Sequence, residues 1–246
     1  MKGIGMTKFS GYSVAVAMLA AATLAGCPPP VTVDYHTQSI VAGANTLQGK
    51  TLFFMPDSSI NFYSRTVVDG VTALPQPTDT ATVVDFEAND PTVITLPEGS
   101  EVLYYGIAYD TLYIGSNGTV GFGAPGDNGS LTAHFGAASV SLLPVDATDN
   151  GDVSYEVFSN EVVVTFENVL VGTANNTFQA EFFVSGAEDG DLALSYPVVS
   201  VNVGGVVGLS NGQLAGANQA QIDAFLDDFS ASELDQDNTG SAKLGA

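Results

Sequence analysis

Few residues of this chain combine the type and the spacing that chemistry requires. Gly208-Leu209-Ser210-Asn211-Gly212 fits G-x-S-x-G, the turn that presents a serine nucleophile where a strand enters a helix. A triad of that kind needs a histidine further along the chain. The last one here is His134, upstream, and the surroundings read as strands. Gly121-Phe122-Gly123-Ala124-Pro125-Gly126 fits G-x-G-x-x-G, but Asp127-Asn128-Gly129-Ser130 follows as a turn. No helix N-terminus is then in place for a pyrophosphate. The acidic turns offer a third chemistry: Asp146 with Asp149 and Asp152, Glu188-Asp189-Gly190-Asp191, and Asp235-Gln236-Asp237-Asn238-Thr239-Gly240. Hard oxygen ligands on neighbouring turn positions suit Ca²⁺. The last run begins like an EF-hand loop but carries Ala246 where the closing Glu belongs. Ordinary solvated turns are the competing reading, and both stay open. With two histidines and one cysteine, a zinc site is not expected.

The elements that would position such residues are short strands. Asn117-Gly118 lies between two alternating, aromatic-rich runs, a strong hairpin signal. A two-residue loop there predicts Ser116 opposite Thr119, Ile114 opposite Gly121, Tyr113 opposite Phe122 and Leu112 opposite Gly123. One face would carry Tyr113, Val120 and Phe122, and the other would set Ile114 and Leu112 against glycines. A second hairpin, Val153–Phe158 with Glu161–Phe166, turns at Ser159-Asn160. It predicts Val157 on Val162, Tyr155 on Val164 and Val153 on Phe166. The opposite face, with Ser154, Glu156, Glu161 and Thr165, is expected to be wet. Further strands are expected at 51–55, 60–67, 81–86, 92–96, 131–137, 177–184, 192–196 and 200–210. Only one helix is expected, near 218–229, where Ile222, Phe225, Leu226 and Phe229 share a face and Asn218 with Gln221 form a capping pair. The fold class is all-β: an antiparallel β-sandwich of about ten short strands with one C-terminal amphipathic helix.

The central hairpin also carries a family likeness. Tyr104-Tyr105-Gly106, then Tyr109, then Tyr113-Ile114-Gly115-Ser116-Asn117-Gly118 and Phe122, resembles the Phe-Tyr-Gly…Tyr…Ser-Asn-Gly…Phe hairpin of a β-sandwich family of secreted and surface-attached bacterial proteins, loosely nidogen-like. The family has Phe-Tyr-Gly where this chain has Tyr104-Tyr105-Gly106. Further matches lie at 52–57, 177–181 and 207–212, so the likeness spans roughly residues 46 to 230. It implies a sandwich and makes Tyr105, Gly106, Tyr109, Tyr113, Ser116, Asn117, Gly118 and Phe122 its defining residues. It implies no catalytic residue and no ligand.

The N-terminus supplies an address. Lys2 and Lys8 precede an apolar run from Val14 to Leu24, too short to span a bilayer comfortably. The run ends in Leu24-Ala25-Gly26-Cys27, which resembles a bacterial lipobox. That resemblance implies removal of residues 1–26 and lipid attachment at Cys27, the only cysteine. Pro28-Pro29-Pro30 then begins a semi-rigid tether over 27–46, in which His36 is expected to be inert. The sandwich is expected over 47–230 and a mobile acidic tail over 231–246.

Signal removal would leave three basic residues, Lys50, Arg65 and Lys243, against 27 acids, hence a charge of −24. Nucleic acid is a poor partner for that surface. The expected protein is a non-catalytic, lipid-anchored envelope or surface module with a structural or adhesive role, with no cofactor unless Ca²⁺. Its expected partners are the membrane, through the lipid, and surface polysaccharide or envelope proteins. Three alternatives remain: a carbohydrate-binding module, for which Tyr104, Tyr105 and Tyr109 are the clustered aromatics; a Ca²⁺-dependent adhesin; and a hydrolase using two convergent carboxylates.

Overall fold

A one-residue change in turn length moves every following side chain to the opposite face of a strand, and the central hairpin makes that change. The computed structural model describes residues 36–40, 46–57, 62–76, 79–86, 90–148, 151–171, 173–184, 188–200 and 204–228. The chain divides into two units, Met1–Val31 and Thr32–Ala246, and every described residue belongs to the second. Cys27, the proline run, Asp149, Phe229 and the acidic tail lie outside the described residues.

Numbered along the chain, β1 (Thr37–Ile40), β15 (Gly205–Asn211), β10 (Ala138–Ser141), β9 (Thr119–Phe122), β8 (Thr111–Gly115) and β5 (Thr92–Thr95) form one sheet in that order. The second sheet runs β3 (Tyr63–Asp69), β2 (Lys50–Pro56), β14 (Leu192–Val198), β13 (Ala174–Phe183), β12 (Glu161–Val171), β11 (Asp152–Val157), β4 (Thr82–Val83). A small hairpin pairs β6 (Val102–Tyr104) with β7 (Ile107–Tyr109). Among the described residues two short helices complete the fold, α1 (Leu131–His134) and α2 (Gln219–Asp228). The described residues thus form fifteen strands, all paired antiparallel, where about ten were expected. The two large sheets share one core. Phe122 of the first meets Phe182 of the second edge to face at 5.7 Å, and Phe166 stacks on Phe178 at 4.8 Å. Each such fully buried ring contributes about 1.5–3 kcal/mol by leaving water.

The β8–β9 turn contains three residues, Ser116-Asn117-Gly118, with Gly118 at φ +80. That is the three-residue hairpin loop closed by a left-handed residue, not the two-residue turn that Asn-Gly predicts. The register becomes Leu112 with Phe122, Tyr113 with Gly121, Ile114 with Val120 and Gly115 with Thr119. Leu112, Ile114, Val120 and Phe122 therefore share one buried face, and Tyr113 lies on the other, opposite Gly121. Burying four large apolar side chains together outweighs the local preference of the turn dipeptide. Gly121 is needed there because a Cβ would strike the Ala124 carbonyl.

The β11–β12 register is the expected one, with Val153 on Phe166, Tyr155 on Val164 and Val157 on Val162. Its outer face is only partly wet: Ser154, Glu161 and Thr165 are buried, as are Gln179 and Glu181 of β13, while Glu156 is half-exposed and accepts from Thr80 Oγ1 at 2.8 Å. The chain through Gln76 lies over Gln179. Gln76 N–H donates to Gln179 Oε1 at 2.9 Å, and Gln179 Nε2 donates to Gln76 O at 3.2 Å and to Thr165 Oγ1 at 2.7 Å. Buried polar groups persist when partnered in this way.

Residues 131–137, expected as a strand, instead open with α1, whose N-cap Ser130 accepts from Ala133 N–H at 3.1 Å. The terminal helix is where the pattern placed it. Asn218 Oδ1 accepts from Gln221 N–H at 3.1 Å, and Gln221 Oε1 accepts from Asn218 N–H at 3.0 Å, a reciprocal cap. Phe225 packs on Phe135 and Leu214, a small satellite core separate from the main one. The tether expected over 27–46 is also shorter than that. His36 is buried, and Thr37–Ile40 form β1 on the edge of the first sheet, paired with β15.

Candidate functional site

The β6–β7 hairpin builds one wall of a concave surface. Tyr105 and Gly106 connect its strands with φ +47 and +74, and a tight turn with both central residues left-handed normally takes Asn or Gly at the first. A tyrosine there is strained and must be held by its surroundings. Its ring meets Tyr104 at 4.7 Å and Tyr63 at 4.9 Å, both edge to face. Tyr104 in turn stacks on Phe122 at 4.0 Å. The Tyr104 hydroxyl lies 2.9 Å from Ser139 O and 3.0 Å from Ser210 O, and accepts from Ser210 N–H at 3.1 Å. It thereby pins the small hairpin to β10 and β15. Tyr104→Phe is expected to lower stability by about 1–3 kcal/mol, the cost of leaving buried backbone groups unmatched, measured as a shift of the urea midpoint.

Between this hairpin and the β10–β15 pair lies a cleft of about 340 Å³, lined by Phe62, Tyr104, Tyr105, Ile107, Tyr109, Ala138 and Asn211. The three tyrosines singled out as clustered aromatics therefore do converge. Tyr104 and Tyr105 are buried, however, and only Tyr109 is half-exposed, so they wall a cleft instead of decorating a rim. Burial raises the Tyr109 phenol above its usual range, which keeps it a neutral donor and acceptor. Asn211 Oδ1 is shielded from solvent and has no hydrogen-bond partner among the described residues. The Ser-Asn-Gly turn contributes nothing to this cleft. Ser116 Oγ donates to Asp90 at 2.6 Å, and the Asn117 and Gly118 carbonyls accept from Asn128 Nδ2 at 2.8 Å and Leu142 N–H at 2.9 Å.

A second groove, about 290 Å³, opens on the outer face of the other sheet beside Phe53, Met55, Phe183, Glu188 and Asp191. Phe53 and Met55 are substantially exposed there. Burial and the neighbouring Glu188 raise Asp191. Close by, Glu161 opposite Phe183 and Glu181 opposite Val163 fall diagonally on one face of β12 and β13. Burial, followed by the charge of Glu161, pushes Glu181 up to about 7, and burial with Glu188 raises Glu161.

The residues that looked chemical in sequence have other tasks. Ser210 is an interior residue of β15; its Oγ donates to Ala137 O at 3.0 Å and accepts from Gly212 N–H at 3.1 Å, with no strand-to-helix elbow. His134 sits fully buried between Thr37 and Ser141. Thr37 Oγ1 donates to Leu209 O, so it accepts from His134 Nε2 at 3.0 Å, and Ser141 Oγ donates to Nδ1 at 2.8 Å. His36, read as an inert tether residue, is a core residue. Its Nε2 donates to Tyr63 O at 2.7 Å, Arg65 Nη1 donates to its Nδ1 at 3.4 Å, and its ring packs on Phe54. Burial through 36–40 does not alternate, so this short edge strand offers no period-two pattern to read.

Among the described residues, the Ca²⁺ candidates do not assemble. Asp146 is exposed and caps its own turn, accepting from Thr148 Oγ1 at 2.5 Å and N–H at 3.2 Å, which holds its carboxyl below the usual range. Asp152, Glu188 and Asp189 are exposed, and Asp149 lies outside the described residues. Among the described residues, no three acidic, histidine or cysteine side chains are placed to hold one metal ion. Compared with models of protein families, with curated proteins and with solved structures, the chain finds no match, and its site is defined by its own geometry.

Proposed function

We propose that this chain is an exported, lipid-anchored, non-catalytic module of the cell envelope or surface that acts by binding, in a structural or adhesive role. The observation that carries this reading is the cleft beside the β6–β7 hairpin. It presents aromatic faces and an amide, while Ser210 and both histidines are committed to hydrogen bonds inside the fold. Recognition, not bond-making, is what such a surface supports. The lipobox-like Leu24-Ala25-Gly26-Cys27 supports the anchor. Because His36 already belongs to the core, the link from Cys27 holds the domain within about 30 Å of the lipid surface.

Fractionation of cells expressing Cys27→Ala is the test. With a labelled fatty acid supplied to the cells, the wild-type protein is expected in the membrane fraction carrying label and the variant without label, and an unlabelled wild-type protein would discard the anchor.

A further inference from the structure

The cleft lined by Phe62, Tyr104, Tyr105, Tyr109 and Asn211 has a chemistry narrow enough to name its ligand class. We propose that it binds one ring of a neutral saccharide, with the C–H face of the sugar on the aromatic wall and a hydroxyl oxygen accepting from the Asn211 side-chain amide. This proposal rests on the binding role argued above.

Four observations lead there. The lining contains no acidic or basic side chain, so a charged ligand would be desolvated without a counter-charge. The chain as a whole carries −22, which further disfavours an anion. The volume, about 340 Å³, lies at the small end of ligand pockets, roughly 300–1,000 Å³, and suits a single ring. Finally, Asn211 and the Tyr109 phenol bring polar groups to an otherwise apolar lining. A purely apolar occupant, such as a side chain from another protein, would cover them without a partner. A polyhydroxylated ring offers donors and acceptors on its edge and an apolar face together. The strained Tyr105-Gly106 turn, which holds this wall, is the kind of backbone outlier that gathers at binding sites.

The test uses the full chain, purified in detergent, and saturation-transfer NMR with five probes. Three are neutral (maltohexaose, cellohexaose and chitohexaose), one is anionic (oligogalacturonate) and one is apolar (p-cresol). At least one neutral oligosaccharide is expected to bind and the oligogalacturonate is not. Tyr109→Leu and Asn211→Ala should each weaken binding by about tenfold or more, while Tyr109→Phe, which keeps the ring, stays closer to wild type. Should Asn211→Ala fail to fold, the Tyr109 pair carries the comparison. The inference is overturned if none of the three neutral sugars binds, if Tyr109→Leu binds as wild type does, or if only p-cresol binds. Shortened oligosaccharide in the sample would sustain the inference and overturn the non-catalytic reading. Binding without shortening sustains both.

Discussion

Gly118→Ala is expected to cost about 2–6 kcal/mol, whereas Gly70→Ala should cost about 1–2 kcal/mol. The two glycines have nearly the same backbone, φ +80 and +90, so an added Cβ suffers similar conformational strain at each. Their surroundings differ. At Gly70 a Cβ meets nothing within 4 Å, whereas at Gly118 it runs into the Leu143 carbonyl and comes within 2.9 Å of Val145 Cγ2. Residues 142–147 lie along the turn, with Leu142 N–H donating to Gly118 O and Ala147 N–H to Ser116 O, so the obstruction is backbone that is itself bonded to the turn. In a domain of this size each kcal/mol moves the Tm by about 2–4 °C. The difference between the variants should therefore be plain in a thermal melt. Equal melting temperatures would mean that the Ser-Asn-Gly turn is not packed as described.

Acid should unfold the protein through its histidines. Burial, above all, lowers both His36 and His134 to about 4, with the Arg65 charge adding to the effect at His36. The unfolded chain then binds protons that the native state refuses. Stability present above the unfolded pKa of 6.5 is lost as pH falls towards 4, on the order of 3 kcal/mol for each ring. Glu181 works in the opposite sense. Its carboxyl is raised to about 7, so its contribution is complete below the unfolded value near 4.5 and disappears as pH rises through 7. With both histidines and Asp146 set against Glu181 and the less buried Glu161 and Asp191, net loss on acidification is expected. His134→Gln should flatten the fall in Tm between pH 6.5 and 4, whereas Glu181→Gln should steepen it and raise stability at pH 8. A His134→Gln profile parallel to wild type would show that this ring does not control the transition.

What could be read from the sequence was whatever repeats locally. Period-two alternation predicted the β11–β12 register residue for residue, and three-to-four spacing with Asn218 and Gln221 predicted α2 and its cap. Both signals depend on neighbours a few positions apart, so no distant strand can cancel them. The all-β antiparallel class followed from the same patterns.

Tertiary structure decided the rest, wherever two local solutions lay close in energy or the partner lay far along the chain. At Asn117-Gly118 a two-residue and a three-residue loop are both good turns, and joint burial of Leu112, Ile114, Val120 and Phe122 against the facing sheet selected the longer one. His36 became a core residue because Thr37–Ile40 pair with Gly205–Gly208, and no pattern within four residues can announce a partner so remote. Gln179, on the polar outer face of β13, is buried where the Gln76 segment folds over it. The cleft draws on residues from Phe62 to Asn211. Its residue types were visible in the sequence, but their convergence depends on strand order, because side chains from β6, β7, β10 and β15 meet only after both sheets have closed on a common core.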